Sequence, residues 1–304
     1  MHTDGVPARR RSQPRLRRSA ATLLFVAAMC ALCTVSRPAY AQDGEAFRHW
    51  VVSVDGAWGK PSGHVQVREN QIEGTRLRFG PDLGIGDMSW ESLWLQYRFD
   101  PDRSMQLILQ NYTLTGSKLL PQNVNFNGAT LAAGTVLSTV TRFPEFLRAT
   151  AFYQGTLSHK AGGGILSGRV GLTFEALNFK LRGTLAPDSV GREMKEDFIT
   201  QELPIPMFGL AWSRPLGNRL RLDASLDAAW LPWVNSLRSE GGEVKLAQTN
   251  VDLHVGVDYA LTGNLDLTVG YDSGYFKQAE RSHEDGNRIL LKSSAARLGL
   301  AYRF

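Results

Sequence analysis

From Trp50 to Phe304 the chain repeats one unit: about ten residues in which apolar and polar positions alternate, followed by a break. The closing stretch "AARLGLAYRF" is typical. It puts Ala296, Leu298, Leu300, Tyr302 and Phe304 on one face and Arg297, Gly299, Ala301 and Arg303 on the other. A period of two belongs to a strand with one apolar and one polar side.

The breaks have two lengths, and they take turns. Short ones are "DPDR" (100–103), "SHKAGG" (158–163), "RPLGNR" (214–219) and "LTGN" (261–264), rich in the residues of tight turns. Long ones cover roughly 59–88, 117–136, 182–203, 232–243 and 278–288. Between them lie ten segments, at about 50–58, 89–99, 104–116, 137–156, 163–181, 204–213, 219–231, 244–260, 265–277 and 289–304. Short turns alternating with long loops, and an even strand count with both ends on one side, predict an all-β fold: a transmembrane antiparallel up-and-down β-barrel of about ten strands. A tilted strand climbs about 2.5 Å per residue, so about ten residues cross an apolar band of about 25 Å. Residues 59–88 leave eight or twelve strands open, because "HVQVREN" and "TRLRF" suit either a hairpin above the membrane or two further membrane strands. A soluble β-sandwich would show no systematic difference between alternate loops. Trp50, Trp58, Trp90, Trp94, Tyr97, Trp212, Trp230, Trp233, Tyr259, Tyr271, Tyr275, Tyr302 and Phe304 are expected on outward faces near strand ends, as interfacial girdles.

The first residues belong to no strand. An arginine-rich start, the apolar run Ala20–Val35 and the small-x-small site Ala39-Tyr40-Ala41 predict a cleaved signal peptide over 1–41, with the barrel domain over 42–304. The run is shorter than the roughly 20 residues of a spanning helix. Of 34 basic and 29 acidic residues the leader holds 7 and 1, which leaves 27 against 28. The basic excess therefore goes with the leader and gives no argument for nucleic-acid binding. Cys30 and Cys33 also lie in the leader, so no disulfide is expected in the barrel.

This leader, the unequal turns and a last strand ending Leu-Gly-Leu-Ala-Tyr-Arg-Phe resemble the outer-membrane β-barrel proteins of Gram-negative bacteria. "EGTRLRFGPDLGIGD" (73–87) and "NGATLAAGTVLSTVTRF" (127–143) are similar to segments of uncharacterised small barrels of that kind. The resemblance implies location in the cell outer membrane, contact with outer-membrane lipid and lipopolysaccharide, and insertion by the barrel-assembly machinery. Leu300, Tyr302 and Phe304 would form the signal that the machinery reads.

If apolar positions face lipid, the alternate ones face the lumen. The expected lumen charge network comprises Arg219, Arg221, Asp223, Asp227, Asp252, His254, Asp258, Asp266, Asp272, Arg297 and Arg303, with Asp55, Gln96, Arg98, Arg148, Arg169 and Glu175 from earlier strands. Enclosed charges must be paired or hydrated, and a barrel near the small end of the size range is filled by its side chains. The expected role is structural, or a narrow pore for ions or small solutes through a charged, largely plugged lumen.

Chemistry offers one alternative. Ten strands also describe the omptins, outer-membrane proteases that use Asp and His at the extracellular rim, and Asp252 and His254 share one strand face. Their depth, near the membrane midplane or below, places them far from an external peptide. A lipid A-modifying enzyme would want a His on the lipid-facing wall near the outer rim, where the sequence puts none. Loop-mediated adhesion or reception is a third reading. No catalytic residue, metal site or cofactor is predicted; "HEDGN" (283–287) is a weak calcium-like signal and "PDSVGREMKED" (187–197) a mixed-charge loop.

Overall fold

The computed structural model describes residues 48–69, 72–189, 195–200, 204–235, 244–283 and 286–304, with 195–200 described by backbone only. The expected leader lies outside them, as do part of the 187–197 loop and two residues of "HEDGN". Ten long strands carry the fold: β1 Trp50–Arg68, β2 Met88–Asp100, β3 Arg103–Leu119, β4 Phe146–Ala161, β5 Gly164–Arg182, β6 Ile205–Pro215, β7 Leu220–Asn235, β8 Lys245–Ala260, β9 Leu265–Arg281 and β10 Gly286–Arg303. Each pairs antiparallel with the next.

The ring closes where β10 meets β1, from Val51↔Arg303 to Arg68↔Gly286. Trp50 N–H donates to Phe304 O (3.1 Å) and Phe304 N–H to Trp50 O (3.0 Å), so the ladder runs to the last residue. A sheet closed in this way exposes no unpaired edge to hydrocarbon.

Outward positions are apolar and bare. Phe208 is 64 % exposed, Val269 53 %, Leu298 49 % and Leu109 42 %. A soluble monomer rarely exposes an apolar patch beyond a few hundred Å², whereas lipid accommodates a continuous belt. The chain is thus built as an outer-membrane-type barrel, with its short turns and both strand termini at one end.

Several boundaries differ from the sequence expectation. The segment expected as one strand over 137–156 breaks at Arg142–Glu145: Val136–Thr141 pairs with the upper part of β3, and β4 begins at Phe146. A Pro at 144 within a ladder removes a donor, which is reason enough for the break. Residues 59–88 add no membrane strand. β1 continues unbroken to Arg68, and Leu77–Arg78 folds back onto His64–Val65 as the hairpin above the membrane. The long loop expected at 278–288 shrinks to the link between Arg281 and Gly286.

Trp90 and Trp94 turn inward, not toward lipid. Trp90 is buried against Tyr112 (5.5 Å between rings), and Trp94 lies under Arg297 (5.2 Å). They share parity with Gln96 and Arg98, and strand alternation outweighs the interfacial preference of tryptophan.

The loop-side half of the interior is an apolar core. Phe79, Leu83 and Ile85 from the β1–β2 connection and Phe126, Leu131 and Leu137 from the β3–β4 connection pack onto Val65, Leu114, Phe146, Leu177, Phe179 and Leu291 of the wall. The Val124–Phe126/Ala129–Leu131 hairpin turns at Asn127 (φ 48°) and Gly128 (φ 68°), the left-handed pair that a tight hairpin requires.

Candidate functional site

Below the apolar core the interior becomes polar, and the charges fall into connected sets. The central one takes one residue from each of five adjacent strands. Asp55 (β1) lies 3.6 Å from Arg297 (β10), whose Nε donates to Asp272 (β9) at 2.7 Å. The other Asp272 oxygen is 2.8 Å from His254 Nδ1 (β8), and His254 Nε2 is 3.0 Å from Asp223 (β7). Carboxylates alternate with the Arg297 guanidinium and the His254 ring along the row, so each carboxylate has a nitrogen partner out of bulk water.

A second set crosses the lumen. Arg148 (β4) reaches Glu175 (β5, 3.2 Å) and, on the far wall, Asp252 (β8, 3.0 Å), while Asn250 donates across to Glu175 (3.1 Å). Arg148 is 8 % exposed and Glu175 not at all, so the strut is dry at its β4–β5 end, while Asp252 on the far wall keeps partial access to water. Arg169 (β5) adds a tie to Asp227 (β7, 2.9 Å) and to Gln154 (3.0 Å), with its guanidinium over Phe152. Nearer the short turns, Arg221 pairs with Asp258, which also accepts from Thr268 (2.6 Å), and Arg303 pairs with Asp266.

Ten of the eleven residues expected in the lumen network thus point inward on their strands and carry these bonds. Arg219 does not. It lies in the exposed turn before β7, where its backbone carbonyl accepts from Ala260 N–H. Residue 219 is shared by the expected break 214–219 and the expected strand 219–231, and it belongs to the turn, the strand beginning at Leu220.

At the loop end a cleft of about 570 Å³ lies outside the apolar core, lined by Arg76, Arg78, Asp82, Lys118 and Leu120 among others, and the space within the polar zone lies toward the short turns. A cavity of about 370 Å³ is lined by Asp55, Trp94, Arg98, Arg221, Asp258 and Arg303 among others, and reaches the turn residues Asp102 and Arg103. A second void of about 80 Å³ sits between Arg148, Asp252, His254 and Arg297. The Arg148 strut and the apolar core stand between these spaces and the loop end.

His254 is the histidine of this zone, the residue on which the protease alternative turns together with Asp252. Both its ring nitrogens face carboxylates, Asp223 and Asp272, rather than Asp252, its neighbour on the strand. No lone pair is turned to the cavity to take a proton from a substrate. Three other histidines stand apart: His49 Nδ1 meets Arg98 O (2.8 Å), His159 pairs with Asp102 (3.0 Å), and His64 meets Arg76 (3.1 Å). Among the described residues no group of three His, Cys, Asp or Glu side chains is arranged to hold a metal.

In the outer hairpin, outside the membrane, Arg78 and Asp82 form a pair with a displaced titration. Hydrogen bonds from the Arg78 side chain hold the Asp82 carboxyl below its ordinary 3.8, against a smaller opposing effect of burial. The pair fastens the hairpin that carries Phe79 and Leu83 into the core.

Sequence reasoning missed the inward tryptophans and Asn250; it places Gly256 and Gly270 inward, but not their contact with His254. Parity counted outward from Gln96 would have found Trp90 and Trp94.

No family model matches the chain, and no curated protein matches it. Among solved structures it is similar to the outer membrane protease OmpT from Escherichia coli, with 14% identity and a TM-score of 0.49 over 84% of this chain and 97% of that one. OprG from Pseudomonas aeruginosa gives 10% identity and a TM-score of 0.34 over 84% and 96%. The translocator domain of the autotransporter NalP from Neisseria meningitidis gives 13% and 0.35 over 94% and 98%. All three are outer-membrane barrels, and likeness at this level says nothing about activity.

Proposed function

We propose that this chain is a non-enzymatic outer-membrane barrel with a closed interior, serving a structural role in the envelope. One observation supports it above others: the loop-side half of the lumen is filled by the apolar core around Phe79, Phe126 and Phe179. Such a core leaves no continuous wetted path for ions, and an apolar constriction passes them only when it fills with water. The ion pairs beneath it then serve as ties between strands, and the His254 ring, held at both nitrogens, acts as one link of that tie. Recognition of Leu300, Tyr302 and Phe304 by the assembly machinery belongs to the same reading.

Planar bilayers test it. The folded full-length barrel is expected to give no discrete conductance steps at neutral pH. Stable steps of uniform size would replace this reading with the narrow pore. A surface activity lost in His254→Ala, with folding intact, would replace it with an enzyme.

A further inference from the structure

The outer wall carries a feature that the closed-barrel reading leaves unexplained. On β9 the outward positions run Leu265, Leu267, Val269, Tyr271, Ser273 and Tyr275, then turn cationic at Lys277 and Arg281. The apolar stretch covers about ten residues, which at about 2.5 Å each is the height of the hydrocarbon band. The cations therefore begin where lipid headgroups begin, on the loop side.

Neighbouring strands continue the pattern. Lys277 is the register partner of Leu290, which Arg288 and Lys292 flank on the same face. Ala279 is the partner of Arg288, so Arg281 is diagonal to Arg288 as well. Lys292 is the partner of Ser62 on β1, which brings Lys60 diagonal to it. Diagonal neighbours stand about 7–8 Å apart. Lys60, Lys277, Arg281, Arg288 and Lys292 are all exposed, and no carboxylate occupies an outward position on β1, β8, β9 or β10 among the described residues. Adjacent like charges oppose folding, so a row of them without outward carboxylates calls for anions supplied from outside.

Aromatic rings hold the row in place. Lys292 Nζ lies 5.9 Å from the Tyr275 ring centre and the Arg281 guanidinium 5.4 Å from that of Trp233. Cation–π contacts of this kind orient a headgroup-level cation while leaving its outer side open.

We infer that the outer wall of β9, β10 and β1 is a binding surface for a phosphorylated glycolipid of the outer leaflet, with Lys277, Arg288 and Lys292 on its phosphates and the apolar wall below on its acyl chains. The lipid is favoured over a free phosphate because the cations sit directly above exposed Val269, Tyr271 and Leu298, a surface that a free anion would not use. The inference rests on membrane insertion, but not on whether the lumen is closed.

The test uses the full-length barrel folded in phosphatidylcholine vesicles that contain bisphosphorylated lipid A, then released in mild detergent and weighed intact by native mass spectrometry. The wild type is expected to retain lipid A, and the variant Lys277→Gln/Arg288→Gln/Lys292→Gln to bind it at least about tenfold more weakly. Heat-modifiable migration on a gel shows that each variant has folded. If the triple variant does not fold, the single change Lys292→Gln, at an exposed site, takes its place with the same expected direction. Lys160→Gln/Arg214→Gln, at the short-turn end, is expected to bind as the wild type does. Equal retention by wild type and headgroup variant would overturn the inference. Displacement of lipid A by millimolar inorganic phosphate would also overturn it, pointing to a simple anion site. Failure of every form to enter vesicles would instead strike at the membrane reading itself.

Discussion

Gly256 and Gly270 face each other across β8 and β9, and the His254 imidazole fills the space their missing side chains leave. A Cβ at Gly270 would stand 2.7 Å from the ring Cε1, and one at Gly256 2.8 Å from Nε2. The glycine pair is thus the seat of the ring that joins Asp223 to Asp272. Gly270→Ala is expected to push the ring off one carboxylate and to cost about 1–3 kcal/mol, the usual range for overpacking. Urea unfolding of the barrel in phospholipid vesicles measures it. A midpoint equal to the wild type would show that the ring has room to spare.

The ring of strands was legible in the sequence because a barrel wall imposes period-two alternation on every residue it contains. Asp223, Asp258, Asp272 and Arg297 were placed inward by parity alone. Parity does not say which inward charges touch, since that depends on stagger between strands. His254 therefore meets Asp223 and Asp272 from adjacent strands rather than Asp252 two residues away. The apolar filling of the loop-side half was also hidden: it comes from connections such as 79–85 and 124–131, where no period marks a residue as inward. Trp90 and Trp94 misled for a different reason, as tryptophan suits both a membrane interface and a dry lumen.

Arg148 and Glu175 supply a sharper energetic test. Removing Arg148 leaves Glu175 fully enclosed with its main counter-charge gone, so Arg148→Met is expected to cost about 3–5 kcal/mol. Replacing both, as Arg148→Met/Glu175→Leu, is expected to cost less than the sum of the two single changes, since no lone buried charge then remains at β5. Asp252 retains partial access to water and tolerates the loss better. A double-mutant cycle from vesicle unfolding gives the coupling. Additive costs would mean that the strut contributes nothing as a pair.

The outer hairpin has a predictable response to acid. Arg78 lowers the Asp82 carboxyl below 3.8 in the folded state. A depressed acid stabilises the fold above its unfolded value and loses that contribution as pH falls through the folded one. Amide-exchange protection over residues 77–85 is therefore expected to hold from pH 8 to 5 and to fall only below about pH 4. Asp82→Asn should show the weaker protection at every pH, with no acid step. A step centred near pH 6 would assign the control to another group, His64 being the nearest candidate on β1.

Phe179 tests what seals the barrel. Its ring is fully buried, 6.3 Å from Phe79 and 6.4 Å from Phe126, so it joins the β1–β2 and β3–β4 connections to the β5 wall. Phe179→Ala removes that shared contact and is expected to cost about 3–5 kcal/mol locally. The wall itself, held by its ladder, should remain folded and heat-modifiable. Loosened connections should then be cut by trypsin at Arg76 or Arg78 faster than in the wild type, and a silent barrel should begin to flicker in planar bilayers. Faster cleavage without conductance would place the seal lower down, at the strut of Arg148 with Glu175 and Asp252. In that case Phe179→Ala combined with Arg148→Met is the variant expected to conduct.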